Sequence, residues 1–204
     1  MIGVNETKWD KLLRIKTSGR DDSRADQFRY PYEPTPYCVL ERLAYNGYLG
    51  KKNVLIDYGC GKGRVDFYLA YQTRCRCIGI EYDDRIFRAA MINQENAVSS
   101  GRTEFVLADA VTYAVPPEAD CFYFFNPFSV EIFQRVLDRI RESFYQNPRK
   151  MLFFFYYPST EYMSCLMTED DLFYLDEIDC RDLFDGENQR ERIMIFSMGG
   201  EEDL

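Results

Sequence analysis

Residues 54–64 read Val54-Leu55-Ile56-Asp57-Tyr58-Gly59-Cys60-Gly61-Lys62-Gly63-Arg64, an apolar run that meets an acid and then a glycine at every second position. Val54–Tyr58 reads as a strand with Asp57 near its end, and Arg64–Gln72 as a helix. The turn between them needs backbone that tolerates left-handed conformations, which glycine supplies. It also lets a ligand approach the backbone closely, at the positive end of the helix. Dinucleotide-binding loops space their glycines as G-x-G-x-x-G around a pyrophosphate. Here the spacing is G-x-G-x-G, with a carboxylate two positions ahead of it. That carboxylate would repel a pyrophosphate but attract an ammonium group, directly or through water. A nucleoside with a cationic amino-acid tail is the ligand this loop favours.

Working outward, strands and helices alternate. Arg76–Glu81 is a strand and Asp84–Val98 a helix packed through Ile86, Ala89, Ala90, Asn93 and Ala97. Glu104–Ala108 and Cys121–Phe125 are strands, the second apolar on both faces and therefore central. Ser129 is placed to cap a helix to about Tyr145, with Val130, Phe133, Leu137, Ile140 and Phe144 at helical spacing. Met151–Tyr157 is a strand and Thr160–Met167 a short helix. Leu172–Ile178 and Arg192–Ser197 form a closing pair through Asp185-Gly186. Upstream, Pro36–Tyr48 is a helix, and the three prolines of Tyr30–Tyr37 impose an extended segment. The first 30 residues read as a polar, partly mobile extension with one short helix near Trp9–Ile15. The expected fold is therefore α/β: a doubly wound, seven-stranded, mostly parallel sheet with an antiparallel last strand and an N-terminal helical and extended flap. Residues 1–35 are assigned to the extension and flap, and 36–204 to the α/β domain.

Composition narrows the function. The chain has 204 residues, the length of one domain, and at 46% hydrophobic and 29% charged it is not a disordered protein. Its apolar runs are too short to span a bilayer, and the polar Met1–Arg20 is not a signal peptide. Lys8, Lys11, Arg14, Lys16, Arg20, Arg24 and Arg29 crowd the start, while Glu169–Asp171, Asp176–Asp179 and Glu201–Asp203 load the end. The net charge of −9 favours a small molecule or a protein over nucleic acid as partner. Seven Cys without a CxxC pair, and no His, argue against a metal site and for thiols in a reducing cytoplasm. Without imidazole, acid–base work falls to Asp, Glu, Tyr, Lys or Cys.

In a doubly wound sheet, ligands bind beyond the carboxyl ends of the strands where the strand order reverses. The second strand ends in Glu81, about 20 residues past the glycines, from where an acid can accept hydrogen bonds from ribose hydroxyls. The third leads to Asp109-Ala110, within reach of an adenine amino group. The fourth runs into Asn126-Pro127-Phe128.

The stretch from Val54 to Phe128 resembles the core of the class I S-adenosylmethionine-dependent methyltransferases, and the strand pattern to Ser197 is similar to their full fold. The resemblance implies S-adenosylmethionine as cofactor. It places Gly59, Gly61 and Gly63 along the methionine part, with Asp57, Tyr58 and Cys60 in the same loop. Glu81 would bind the ribose, Tyr82 flank the adenine, and Asp109 with Ala110 hold its edge. Asn126-Pro127-Phe128 resembles the [D/N]-P-P-[F/Y] motif of methyltransferases acting on nitrogen, with one proline in place of two. There the Asn or Asp oxygen and a backbone carbonyl accept hydrogen bonds from the target nitrogen, and the aromatic ring stacks on it. Pro34-Thr35-Pro36 before a helix is similar to some protein-lysine methyltransferases of this fold. Tyr30, Tyr32 and Glu33 would then close the site, and Tyr157 would add to an aromatic acceptor pocket. Two other readings stand beside this one: a non-catalytic, partner-binding subunit of the same fold, and a nicotinamide-dependent oxidoreductase, which the glycine spacing and Asp57 oppose.

Overall fold

The computed structural model describes residues 2–23, 27–28, 30–186 and 188–199. Arg24 and Arg29 of the basic start and Glu201–Asp203 of the acidic end lie outside the described residues. The strands are β1 (Val54–Tyr58), β2 (Arg76–Glu81), β3 (Thr103–Leu107), β4 (Cys121–Phe124), β5 (Met151–Tyr156), β6 (Phe173–Asp179) and β7 (Arg192–Met198). They form one sheet in the order β3-β2-β1-β4-β5-β7-β6. The first five strands pair in parallel, whereas β7 runs antiparallel to both β5 and β6. This is the doubly wound, seven-stranded arrangement expected from the sequence. The chain steps outward from β1 to β3 and returns to place β4 beside β1, so the order reverses between β1 and β4. A crevice opens there by topology alone.

Both faces of the sheet are covered. Helices α1 (Ile2–Leu13), α2 (Tyr37–Tyr45), α3 (Arg64–Thr73) and α4 (Asp84–Asn96) supply residues to the core on one face; α5 (Val130–Gln146) and α6 (Thr160–Leu166) supply the other. Strand side chains alternate between the two: Leu55, Cys121 and Tyr123 join the first, Ile56, Phe122 and Phe124 the second. Every residue of β1 and β4 is buried in consequence. Phe122 stacks on Phe153 and Phe124 on Phe155, at centroid distances of 5.0 and 4.9 Å. Each such ring contributes on the order of 2–3 kcal/mol through burial alone, so the sheet under the crevice is rigid.

Element ends differ from the sequence reading where backbone chemistry decides them. The N-terminal helix runs Ile2–Leu13 rather than Trp9–Ile15, and it packs on the core. Leu13 and Ile15 enter the core, and Trp9 meets Tyr68 edge-on at 4.9 Å. Helix α2 stops at Tyr45, just ahead of a left-handed Gly47. Strands β4 and β5 end one residue early, because Asn126 and Tyr157 beyond them take positive φ values of 41° and 51°. Ser129 occupies the N-cap of α5 without making a side-chain cap bond; its N–H donates instead to Phe28 O at 2.7 Å. The Sγ atoms of Cys75 and Cys77 lie 3.5 Å apart as free thiols.

Candidate functional site

Strand β1 delivers Asp57 and Tyr58 to the crevice, and the glycine loop turns the chain into α3. Gly59, Gly61 and Gly63 all take left-handed φ, of 76°, 59° and 83°. The loop is also tightly covered. A Cβ on Gly59 would lie 2.6 Å from Pro127 Cβ, and one on Gly61 2.1 Å from the Tyr32 ring. Gly59 and Cys60 donate their N–H groups to Ile80 O at 2.9 and 3.1 Å, which ties the loop to β2.

Glu81 completes that tie. Its Oε2 accepts from Gly61 N at 3.0 Å, and Oε1 accepts from Tyr82 and Asp83 N at 2.8 Å each. Burial raises the pKa of this carboxyl, and the three N–H donors work against the rise. Glu81 thus fixes the glycine loop as well as facing the cleft. Tyr82 is half-exposed beside it, Ala110 is buried, and Asp109 accepts from Val111 N through Oδ1 at 3.0 Å.

The segment Tyr30–Thr35 forms one wall of this cleft, which holds about 1060 Å³ counting its open mouth. Tyr58, Cys60, Glu81, Tyr82, Asp109, Ala110, Pro127 and Phe128 line it together with Asp57 and Gly59. The flap is bonded in place. Tyr32 covers Gly61, its hydroxyl donates to Thr17 O at 2.6 Å, and Lys62 Nζ stands 4.9 Å over its ring. Tyr30 N donates to Pro127 O at 3.3 Å.

Arg64, which sequence reading left without a role, anchors the N-terminal segment. It is buried and ion-pairs with Glu6 and with Asp10 at 3.9 Å. It also donates to Thr17 Oγ1 at 2.8 Å and to Thr35 O at 3.2 Å, and its guanidinium lies 4.4 Å over the Tyr37 ring. The signal for it was present: α3 follows the glycine loop with apolar residues on every side, and a charge inside such a helix must find partners.

Asp66 was missed for the same reason. It lies in the first turn of α3, fully buried, near Asp57, which is 3% exposed. Asp57 Oδ2 and both Asp66 oxygens are sealed from solvent with no donor reaching them. Burial pushes the Asp57 carboxyl up to about 7 and raises Asp66 well above the carboxylate range, with the neighbouring Asp57 charge adding to the second shift.

Asn126-Pro127-Phe128 sits where β4 ends. Phe128 is buried against Tyr58 and Phe124. The Asn126 amide bridges to the end of β5, donating from Nδ2 to Tyr157 O at 2.7 Å and accepting from Ser159 N at Oδ1 at 3.2 Å. Two non-glycine residues with positive φ, Asn126 and Tyr157, therefore meet at adjacent strand ends; strain of this kind concentrates at functional sites. A second hollow opens beside the first, across the flap. Tyr30, Glu33, Asn126, Tyr157, Arg190 and Glu191 are among its lining. Glu33 is exposed and 3.7 Å from Arg20, and Arg190 lies 4.1 Å over the Tyr157 ring. The structure thus brings most of the cofactor-type residues to one cleft, while Gly61 lies under Tyr32 and Gly63 under Phe105 and Phe67, outside its lining. It divides the flap and Asn-Pro-Phe residues between the cleft and the neighbouring hollow.

Known proteins share this architecture. No protein-family model matches the chain. A protein-lysine N-methyltransferase from Saccharolobus islandicus is 31% identical over 77 residues, which is 37% of this chain and 48% of that protein. The match thus spans about half the length of that curated relative. An RNA methyltransferase from Salinibacter ruber, solved with S-adenosyl-L-homocysteine, superposes with a TM-score of 0.56 at 19% identity, covering 83% of this chain and 95% of the other. A TehB-like SAM-dependent methyltransferase from Corynebacterium glutamicum has a TM-score of 0.56 at 13% identity, with 97% of each chain covered. At these identities the likeness shows the fold alone, a seven-stranded doubly wound sheet that this chain shares with those S-adenosylmethionine-dependent methyltransferases. Among the described residues no helix is long and apolar enough to cross a membrane.

Proposed function

We propose that the cleft binds S-adenosylmethionine and that the chain transfers its methyl group to a nitrogen, on a protein side chain or a small molecule. The observation that carries this reading is the shared wall of the cleft: a glycine turn too tight for any Cβ, the Asp57 carboxyl at the end of β1, and the Glu81 carboxylate bonded to the turn. These residues fit an amino acid joined to a nucleoside. When bound, the cofactor supplies an activated methyl on a sulfonium centre. Asp57 would hold the cationic amino end, and Glu81 would accept from the ribose with the lone pairs that its backbone donors leave free. Tyr82 would flank the base, and Asp109 and Ala110 would meet its edge. Transfer of this kind depends on positioning, and no imidazole is required for it.

The acceptor would enter by the neighbouring hollow. Rings of Tyr30, Phe125, Tyr156 and Tyr157 line it, with the acids Glu33 and Glu191 balanced by Arg20 and Arg190. The rings suit a cationic amine, as they already hold the Arg190 guanidinium over Tyr157. A lysine side chain meets that description, in keeping with the name of the Saccharolobus relative. Glu33 would pair with the ammonium or take its proton, and Asn126 and Phe128 would align and wall the nitrogen. The test is transfer of labelled methyl to basic proteins, free amines and RNA by the native chain and by Asn126→Ala. Incorporation into protein or amine, lost in the variant while cofactor affinity persists, supports the reading. No incorporation into any acceptor, with cofactor still bound, favours the partner-binding subunit.

A further inference from the structure

Asp66 has no place in the scheme above: it does not line the cleft, and the resemblance gives it no task. Its surroundings still constrain it sharply. Both of its oxygens are buried without a donor, as is Oδ2 of the neighbouring Asp57 carboxyl. Two ionised carboxylates cannot share such a site, whereas one proton between them turns repulsion into a strong hydrogen bond.

The other groups around the pair decide where that proton resides. Cys60 faces it from the glycine loop, Cys77 and Glu81 from β2, and Cys75 from just before that strand. Tyr123 faces it from β4 and Tyr32 from the flap. None of these carries a positive charge, so none offsets a second negative one. Arg64, two residues along α3, is held by Glu6, Asp10 and Thr17. Of the two carboxyls only Asp57 reaches the cleft, where a cationic ligand can reward its ionisation. Asp66, with no exposure at all, has nothing to gain from a charge.

We propose that Asp66 is a positioning residue held as a neutral carboxylic acid, whose O–H donates to Asp57 and fixes that carboxylate for the ammonium end of the cofactor. The proposal rests on the cofactor reading for its consequence, though not for the protonation of Asp66 itself. Arrival of the ammonium leaves the Asp66 proton where it is and expels to solvent whatever proton Asp57 still carries. Affinity therefore rises with pH by up to about tenfold per unit below neutrality and then levels off.

The experiment compares the full-length chain with Asp66→Asn and Asp66→Leu, titrating each with S-adenosylmethionine from pH 5.5 to 8. Asparagine keeps a donor without needing a proton, so Asp66→Asn should bind at neutral pH as the native chain does. Leucine removes the donor. Its affinity should fall on the order of tenfold to a hundredfold, and its pH midpoint should move upward. Equal losses in both variants, or none in either, would overturn the proposal. Infrared spectroscopy of the ligand-free chain at pH 8 supplies a readout that needs neither binding nor the leucine variant. A protonated-carboxyl C=O band, present in the native chain and gone in Asp66→Asn, is the expected result; no such band in the native chain refutes the proposal. Failure of S-adenosylmethionine to bind at any pH would instead remove the cofactor reading, with the infrared band still deciding the state of Asp66.

Discussion

Replacing Arg64 with methionine should release the N-terminal segment from the cleft while leaving the sheet folded. Methionine keeps an apolar stem against Tyr37 but deletes the charge and the donors to Glu6, Thr17 and Thr35. Breaking a buried ion pair from one side costs roughly 3–5 kcal/mol when the survivor is stranded. Neither partner is stranded: Glu6 Oε1 still accepts from Tyr37 N at 3.0 Å, and Asp10 from Thr17 N at 2.8 Å, Thr17 Oγ1 at 2.7 Å and Tyr37 Oη at 2.6 Å. The cost therefore falls near the lower end, about 3 kcal/mol, or a little over a hundredfold in an opening equilibrium. These contacts join residues 6–35 to α3 rather than holding the sheet together, so the loss should appear as local opening. Hydrogen exchange reads it directly. The Thr17 and Tyr32 amides should exchange about a hundredfold faster, and amides of β1 and β4 should be unchanged. Cofactor affinity should fall with them, since Tyr30–Thr35 form a wall of the cleft. Unchanged exchange at Thr17, or a uniform acceleration through the sheet, would refute this account of Arg64.

Three further outcomes follow from the same contacts. Gly61→Ala adds about 1–2 kcal/mol of left-handed backbone cost and drives a Cβ into Tyr32, whereas Gly19→Ala meets an at least equally costly φ of 93° with open space around it. Ligand titration should separate the two, with only Gly61→Ala losing affinity; equal behaviour would mean that Tyr32 does not pack on the loop. Glu81→Gln exchanges one acceptor oxygen for an NH2 group. It leaves at least one of the Gly61, Tyr82 and Asp83 N–H donors unmet, at a cost of about 1–3 kcal/mol, and should lower both thermal stability and cofactor affinity. An affinity loss without any stability loss would remove the structural half of its role. Burial raises the Asp57 carboxyl from its unfolded value near 4 to about 7. Its contribution to stability is therefore complete below the unfolded pKa and is lost as pH rises through 7, at roughly 1.4 kcal/mol per pH unit in that window. Denaturant melts at pH 5 and 8 should show that slope flattened in Asp57→Asn; an unchanged slope would place the titration elsewhere.

Much of the sheet was legible because its strands lie under helices on both faces. Val54–Tyr58 and Arg76–Glu81 are continuous apolar runs with polar punctuation at the ends, and the structure keeps both sets of bounds. The glycine loop was legible for a related reason, since three alternating glycines have few uses other than a left-handed turn. Boundaries failed where a single φ value sets them, as at Asn126 and Tyr157; Asn is a residue that tolerates left-handed backbone, but Tyr157 gives no warning of it. The N-terminal segment reads as a polar, partly mobile extension because its polarity conceals where its polar groups go. Asp10, Thr17 and Arg64 satisfy one another across more than 50 residues of sequence, and no local pattern encodes that pairing. Asp66 was hidden in the same way, as a charged letter in a helix whose other neighbours from Arg64 to Ala70 are all buried.

The most direct test of the whole account is a calorimetric titration of the purified chain with S-adenosylmethionine, with NAD as control. The cleft should bind the first in the micromolar range and ignore the second, because Asp57 attracts an ammonium and repels a pyrophosphate. Binding of NAD, or of neither ligand, would contradict it.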